Sequence, residues 1–223
     1  RDGVYLVECD QRGYFKQIGT KKFYIEPNLV KPIYKIPDLK QYNNIDDAKR
    51  YIIFPYVKSS TGYNLIDESV FLSSFPLTYA YLSQHREELN TRDKGKINPQ
   101  GWYAYGRTQG LNKYGKKLMF PTFANKPNFI YVDNEDALFC NGYAIFENDR
   151  YPLNVLQKVL NSRIMDYYVR NTSYSIEGGY YCYQKKYIER FSLPWFSESD
   201  IEFIVKTSEE ELNTFLWDYY NLE

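Results

Sequence analysis

The segment that decides the fold runs from residue 117 to residue 146 and has the sequence KLMFPTFANKPNFIYVDNEDALFCNGYAIF. Within it, residues 118–120, 129–132 and 143–146 are short runs of aromatic and aliphatic side chains. Gly, Pro and Asn separate these runs, and these residue types favour turns between strands. The segment therefore predicts strands of an antiparallel sheet.

Helical periodicity lies on both sides of this segment. Upstream, residues 67–89 are helical in character, and Pro76 suits the first turn of a helix. Downstream, apolar residues recur at steps of three and four, which predicts one long amphipathic helix near residues 152–169. Capping-box patterns that begin at Ser199 and Ser208 each predict a short helix in the acidic tail, residues 197–223. We predict an α+β fold with an antiparallel β-sheet core, packed helices and an acidic helical C-terminal appendix.

Composition limits the class of protein. The 223 residues are 43% hydrophobic, which is typical of a globular chain, and no stretch approaches the ~18 apolar residues of a membrane span. The three cysteines have no paired short spacing, which favours a reducing compartment. The first residues, Arg1-Asp2-Gly3, include neither a start Met nor an apolar signal core. We expect a cytoplasmic piece of a longer protein.

Charge is segregated along the chain although its formal net value is zero. Residues 94–132 contain seven bases and no acid, whereas residues 197–223 contain eight acids and one base, Lys206. Exposed charges further apart than a Debye length of about 8 Å interact weakly, so the basic region can meet a polyanion. Aromatic and amide side chains alternate with these bases, and this mixture is typical of nucleic-acid recognition.

Most catalytic chemistries find no support. The only histidine, His85, lies in a charged helical stretch, and no glycine-rich phosphate loop is present. Asp133-Asn134-Glu135-Asp136 is typical of an acidic turn rather than a metal site, so we predict no metal. Asn98-Pro99-Gln100-Gly101-Trp102 only partly matches the Asn-Pro-Pro-aromatic motif of amino-methyltransferases. We therefore expect no catalytic residue and no cofactor in this chain.

The order of several motifs resembles one family. These motifs are IEPNLVKP at 25–32, IIFPY at 52–56, FPLTYAYL at 75–82, WYAYGR at 102–107, KLMFP at 117–121, LQKVLNS at 156–162, GGY at 178–180 and YIERFSLP at 187–194. Together they resemble the TaqI-like C-terminal specificity domain, the target-recognition domain of N6-adenine DNA methyltransferases in type II and IIG restriction–modification systems. No single motif is specific, but their order is.

The resemblance implies an organisation and a set of partners. It covers roughly residues 20–196 and implies a target-recognition domain at 39–196. The residue pattern itself predicts an N-terminal hairpin and proline-rich connector at 1–38 and an acidic helical tail at 197–223. The partner would be double-stranded DNA, and no membrane is involved. The methyltransferase domain, with its S-adenosylmethionine, would lie N-terminal to this chain, and a nuclease could be fused to it.

Candidate DNA contacts divide into base readers and phosphate contacts. The candidate base readers lie in a glycine-bounded loop and in a second loop near residue 175: Arg107, Gln109, Asn112, Tyr174 and Ser175. The candidate phosphate contacts are lysines: Lys113, Lys116, Lys117, Lys185 and Lys186. Arg107 could equally pair with a core carboxylate, and Trp102 and Tyr103 are expected in the core.

Two other functions stay open at this point. One is the specificity subunit of a type I restriction system, which would carry two recognition domains and long helices. The other is a carbohydrate-binding module, since exposed Tyr and Trp rings also stack on sugars. The acid-free basic stretch favours DNA over sugar.

Overall fold

A computed structural model describes residues 2–42, 44–60, 62–91, 96, 98–107, 110–111 and 113–222. The chain divides into two compact units. The first unit contains residues 1–34, 42–114 and 136–139, and the second contains residues 35–41, 115–135 and 140–223. The boundaries predicted for the target-recognition domain, after residues 38 and 196, stay a prediction. A division into compact units does not show which residues recognise a target.

The described residues form strands, α-helices and 3-10 helices. The strands are β1 (Leu6–Asp10), β2 (Gly13–Ile18), β3 (Lys21–Tyr24), β4 (Val30–Lys35), β5 (Arg50–Ile53), β6 (Tyr56–Ser59), β7 (Gly62–Leu65), β8 (Lys117–Pro121), β9 (Phe123–Ala124), β10 (Ile130–Val132), β11 (Leu138–Cys140), β12 (Gly142–Phe146), β13 (Ser175–Ile176) and β14 (Tyr180–Cys182). The α-helices are α1 (Glu68–Ser74), α2 (Pro76–Ser83), α3 (Arg86–Asn90), α4 (Leu153–Leu160), α5 (Arg163–Thr172), α6 (Lys185–Ile188), α7 (Glu198–Lys206) and α8 (Glu209–Tyr219). The 3-10 helices are Asp2–Val4, Pro27–Leu29, Ile36–Gln41 and Ile45–Ala48. None of these helices is both long and apolar enough to cross a membrane. The predicted α+β class is confirmed.

The first unit is built on a six-stranded sheet with the order β11-β4-β5-β1-β2-β3. Neighbouring strands from β4 to β3 pair antiparallel. Helix α2 packs near β3, and its Tyr81 hydroxyl donates to the Val4 carbonyl at 2.6 Å. The core of this unit includes the expected Trp102 and Tyr103, which are both buried.

The helical segment at 67–89 takes the form of three short helices. Phe75 has φ −134° and ψ 56°, which ends α1, and Pro76 opens α2 in the first-turn position predicted for it. The Glu26 carboxylate accepts hydrogen bonds from the Leu77 and Thr78 amides at 2.8 Å each. A distant acid therefore caps α2, since Phe75 offers no capping side chain.

The second unit combines two three-stranded sheets with a helical layer. Their orders are β10-β8-β12 and β13-β14-β9, and every pair is antiparallel. Strand β8 lies at the centre of the first sheet and is buried along its whole length. Helices α4 and α5 supply a large share of the apolar core, including Leu156, Val159 and Met165.

The single helix expected near 152–169 is two helices, α4 and α5. Asn161 lies at the break, and its side chain accepts from the Phe129 amide at 2.7 Å and donates to the Phe129 carbonyl at 2.8 Å. The Asn213 side chain accepts from the Arg163 amide at the start of α5 at 2.7 Å. Asn213 thus satisfies an amide that the break exposes, and Asn161 ties the break to the backbone of Phe129. The apolar faces of both helices contribute to the same core.

The acidic tail forms the two predicted helices, α7 and α8, with one correction to its caps. The capping box at Ser208 with Glu211 is confirmed, but the first box begins at Ser197, which pairs with Asp200, and not at Ser199. The tail is also less of an appendix than we predicted. Ile204, Leu212 and Leu216 lie in the core of the second unit, so both helices are part of that core.

Candidate nucleic-acid interface

The segment 105–111 of the first unit holds an exposed arginine between two anchored residues. The Tyr105 amide donates to the Tyr56 hydroxyl at 2.5 Å, and the Tyr105 hydroxyl donates to the Ile53 carbonyl. Burial raises the pKa of Tyr105 well above its usual value, so this hydroxyl stays a donor. At the other end, Leu111 is buried in a small cluster with Tyr56. The segment is thus anchored at Tyr105, two residues before Arg107, and at Leu111, four residues after it.

Arg107 itself is exposed, and within the described part of the chain no ion pair involves it. The alternative in which Arg107 pairs with a core carboxylate therefore finds no support. A guanidinium presents several donors in one plane, which suits bidentate recognition of a base edge. The other two predicted readers of this loop, Gln109 and Asn112, lie outside the described residues.

A second set of contacts in the first unit joins cations to aromatic rings. The Lys58 ammonium lies 4.2 Å from the centre of the Tyr114 ring, and Tyr114 is 42% exposed. The predicted phosphate contact Lys113 is exposed, and its ammonium lies 5.2 Å from the centre of the Phe139 ring. Lys58 was missed by the sequence analysis because it belongs to the β6–β7 hairpin, far from the basic stretch. We call Lys58, Lys113 and Tyr114 the first-unit basic patch.

The two adjacent lysines at the start of β8 have different environments. Lys116 is partly exposed and pairs with Asp133 at 2.9 Å, and this hydrogen bond raises the pKa of Lys116. Lys117 is fully buried, and its ammonium donates to the carbonyls of Asn134 and Glu135 at 3.2 and 3.1 Å. The sequence analysis named Lys117 as a candidate phosphate contact, which requires an exposed ammonium, and the structure corrects this expectation. A buried ammonium that already donates to carbonyls is unsuited to a phosphate contact.

Lysine side chains form ion pairs and hydrogen bonds with the acidic turn at 133–136. Asp133 pairs with Lys116, Asp136 pairs with Lys31 at 2.7 Å, and two carbonyls of the turn accept from Lys117. In the described ranges of the chain, no group of three or more His, Cys, Asp or Glu side chains could hold a metal ion. The contacts of this turn are those of a structural turn.

A hairpin in the second unit exposes Tyr174, Ser175 and Ile176. Strands β13 and β14 pair through Ser175 with Tyr181 and Ile176 with Tyr180, so residues 177–179 form the turn. Gly178 and Gly179 have φ of +84° and +76°, a backbone conformation that favours glycine. Tyr174 is 45% exposed, and the neighbouring Cys182 thiol raises the pKa of its hydroxyl.

Predicted residues of the second unit meet through a tyrosine that the sequence analysis missed. The Tyr187 ring centre lies 6.3 Å from that of Tyr174, and the Lys186 ammonium lies 4.8 Å from the centre of Tyr187. Lys185 is 76% exposed on the same short helix, α6, and lies 3.8 Å from Glu189. We call Tyr174, Tyr187, Lys185 and Lys186 the second-unit patch. Its alternating rings and ammonium groups are suited to stacking and to phosphate contact.

Arg170 contacts the strand that pairs with Ser175. From the sequence alone, its spacing of four residues from Asp166 indicates only an ion pair within a helix. Its guanidinium carbon lies 4.6 Å from the centre of the Tyr181 ring, and its Nε donates to Asp166 at 2.7 Å. A second guanidinium nitrogen donates to the Asn125 carbonyl at 3.2 Å. Arg170 therefore fixes the position of Tyr181 on β14, opposite Ser175.

Comparison with known proteins identifies the family of this chain. Residues 31–193 match the family described as the TaqI-like C-terminal specificity domain. The chain belongs to this family. It is 25% identical over 194 residues to the type II methyltransferase M.XhoI of Xanthomonas vasicola, a match that covers 86% of this chain and 32% of that protein.

Two further relatives have similar names. The type II methyltransferase M.BstVI of Geobacillus stearothermophilus is 24% identical, with 86% of this chain and 31% of that protein covered. The type II restriction enzyme and methyltransferase RM.Eco57I of Escherichia coli is 23% identical, with 70% of this chain and 17% of that protein covered. The chain thus spans about a third or less of these relatives. It is a specificity domain of the kind found in restriction–modification methyltransferases, as the sequence analysis predicted.

Proposed function

We propose that this chain selects the DNA sequence at which a type II restriction–modification methyltransferase acts. In this proposal, residues 39–196 recognise duplex DNA, and a separate N-terminal domain binds S-adenosylmethionine and methylates the N6 atom of an adenine in the cytoplasm. The relatives' names favour a type II system over the type I alternative. An endonuclease in the same protein is a further option, since one relative is named as both a restriction enzyme and a methyltransferase.

The observation that carries the proposal is Arg107, an exposed arginine between two anchored ends. Tyr105 and Leu111, which lie two residues before and four residues after Arg107, are anchored in the unit. An exposed guanidinium near such anchored positions has the planar set of donors that bidentate readout of a base edge needs, and this supports sequence selection. Lysines on long flexible side chains suit phosphates, whose contacts carry no sequence information.

The proposal divides the surface into readers and phosphate contacts. Arg107, with Tyr174 and Ser175, would read bases, as would Gln109 and Asn112. Lys113, Lys116, Lys185 and Lys186 would contact phosphates, Lys116 after exchanging its partner Asp133. Each phosphate contact releases condensed counterions and so adds to the salt dependence of binding.

The experiment is selection of bound duplexes from a randomised DNA library by the 223-residue chain. We expect the wild type to enrich a defined sequence. Arg107→Ala should relax the choice at one position and cost about 1–3 kcal/mol on the selected sequence alone. Lys113→Ala should weaken binding to all sequences and flatten the plot of log K against log salt by about one unit. Arg12→Ala, an exposed arginine in the turn between β1 and β2, is the matched control and should change neither.

Two results would contradict the proposal. If the wild type enriches no sequence, this chain does not select DNA. If Arg107→Ala weakens all sequences equally, Arg107 contacts phosphate and another residue reads the base. The chain alone should incorporate no methyl group into DNA, and incorporation that Asn98→Ala abolishes would reverse our interpretation of residues 98–102.

A further inference from the structure

The hairpin of α7 and α8 presents a row of aromatic rings outside the segment that matches the family. Phe203 is 40% exposed, and its ring centre lies 5.0 Å from that of Phe215. The Phe215 ring centre lies 5.3 Å from that of Tyr219. One groove beside Phe203 is lined by Glu210, Glu211, Thr214, Phe215 and Asp218, and a second by Ser199, Glu202, Lys206 and Thr207.

Trp195 is an exposed aromatic residue whose backbone is bonded to this row. Its side chain is 79% exposed, an unusual environment for the largest apolar side chain. The Trp195 carbonyl accepts a hydrogen bond from the Tyr219 hydroxyl at 3.1 Å, which joins it to the Phe215–Tyr219 pair. Exposed tryptophans are frequent anchors of protein interfaces. We call Trp195, Phe203, Phe215 and Tyr219, with Glu210 and Asp218, the tail surface.

Negative charge surrounds the tail surface. Residues 197–223 contain eight acids and a single base. Glu211 is engaged in the cap of α8, and Glu202 lies 3.5 Å from Lys206. The carboxylates of Glu210 and Asp218 line the first groove, and within the described residues neither has an ion-pair or hydrogen-bond partner. Two unpaired acids thus stand beside partly exposed rings.

This charge decides what kind of molecule can cover the rings. A nucleic acid or an anionic lipid surface would bring like charge against Glu210 and Asp218. A second copy of this chain that used the same face would do the same, because a two-fold interface places equal patches opposite each other. A cationic partner gains both from the carboxylates and from cation–π contact with the rings.

We propose that the tail surface binds a basic amphipathic segment of a partner protein. Apolar side chains of that segment pack on Trp195, Phe203 and Phe215, and its lysines or arginines meet Glu210 and Asp218. This is the helix-in-groove mode, in which apolar anchors recur on one helix face. The interaction goes beyond DNA selection and does not depend on it.

The test uses the 223-residue chain and a fluorescently labelled synthetic helix of Leu and Lys, with a Leu and Glu helix of the same pattern as the control peptide. Fluorescence anisotropy at physiological salt should show saturable binding of the Lys peptide only. Phe203→Ser and Trp195→Ser should each weaken that binding about tenfold, as expected for anchors of an interface. Val205→Ser is the matched control, because it lies about 200° around the same helix from Phe203 and lines neither groove.

The charged residues give an independent measurement. Glu210→Gln with Asp218→Asn should weaken binding of the Lys peptide and reduce its salt dependence, while binding of Leu–Glu helices stays absent. Circular dichroism shows which variants are folded. If Phe203→Ser does not fold, the result for Trp195→Ser decides the test.

Three results would overturn the proposal. The first is unchanged binding of the Lys peptide by the folded Trp195→Ser and Phe203→Ser variants. The second is equal binding of the Leu–Glu peptide. The third is self-association of the chain that Trp195→Ser abolishes, which would make a second copy the occupant.

Discussion

Lys116 and Lys117 are neighbours in the sequence, yet Lys116 is partly exposed and Lys117 is buried. Both were predicted as phosphate contacts because both are basic residues beside a predicted strand. The structure buries Lys117 because the turn at 133–136 supplies two carbonyl acceptors. The sequence could not show this, since those acceptors are backbone atoms 17 and 18 residues away.

The first prediction concerns this buried ammonium. Lys117→Met keeps the side-chain volume but removes the donor to the Asn134 and Glu135 carbonyls. Loss of the partner of buried polar groups costs about 1–3 kcal/mol, so the free energy of unfolding should fall by about that amount. Denaturation by urea, followed by tryptophan fluorescence, measures the change.

Lys116→Met is the control for that measurement. Lys116 is partly exposed, and surface ion pairs contribute little to stability, so its unfolding midpoint should stay close to that of the wild type. The affinity for DNA should respond in the opposite way. It should fall for Lys116→Met and stay unchanged for the folded Lys117→Met. Weaker DNA binding by Lys117→Met without any loss of stability would restore the phosphate contact we first expected.

At the scale of elements, local sequence patterns predicted whether a segment is a helix or a strand better than they predicted the residues at which it begins and ends. The period of three and four residues over α4 and α5 is correct, because both helices turn their apolar faces to the same core. The break at Asn161 depends on Phe129, 32 residues away, and a periodicity argument contains no information about that partner. The capping box at Ser208 was predictable because both its members are local. The box of α7 was predicted two residues too late, at Ser199, because Ser199 also has an acidic residue, Glu202, three positions on.

The second prediction follows from the two capping boxes. Hydrogen bonds from Thr207 and Ser208 lower the pKa of Glu211, and those from Ser197 lower the pKa of Asp200. Stability from a lowered carboxyl pKa is complete above the usual values, 4.5 for Glu and 3.8 for Asp, and is lost as the pH falls through the folded values. The chain should therefore lose stability on acidification, in part through these caps.

Urea denaturation across this pH range measures that loss. Asp200→Asn with Glu211→Gln should be less stable than the wild type near neutral pH and should lose less stability on acidification, because part of the titrating contribution is gone. Glu209→Gln is the matched control, since Glu209 lies in the same first turn of α8 but outside the capping box. Equal acid dependence in the wild type and the double variant would show that the caps contribute nothing.

At the scale of the whole molecule, the net charge of zero does not reveal that basic and acidic residues are segregated along the chain. The basic stretch and the acidic tail cancel in the sum, but they occupy different segments of the chain. Sequence alone located this segregation and the family, because both are properties of linear order. It could not find Lys58 beside Tyr114 or Tyr187 beside Tyr174, since these pairs join segments that only the fold brings together.

The last prediction tests this separation through the salt dependence of DNA binding. Lys185→Ala with Lys186→Ala removes two exposed cations of the second-unit patch, so the slope of log K against log salt should flatten by about two units. Glu209→Gln with Glu210→Gln changes the net charge by the same amount in the opposite direction. Because exposed charges beyond about 8 Å are largely screened at physiological salt, this pair should leave both the slope and the affinity nearly unchanged. Random duplex DNA, titrated at several salt concentrations, gives both quantities. If the tail variant strengthens binding as much as the lysine variant weakens it, total charge rather than its placement governs the interaction, and the assignment of DNA contacts to separate surfaces is wrong.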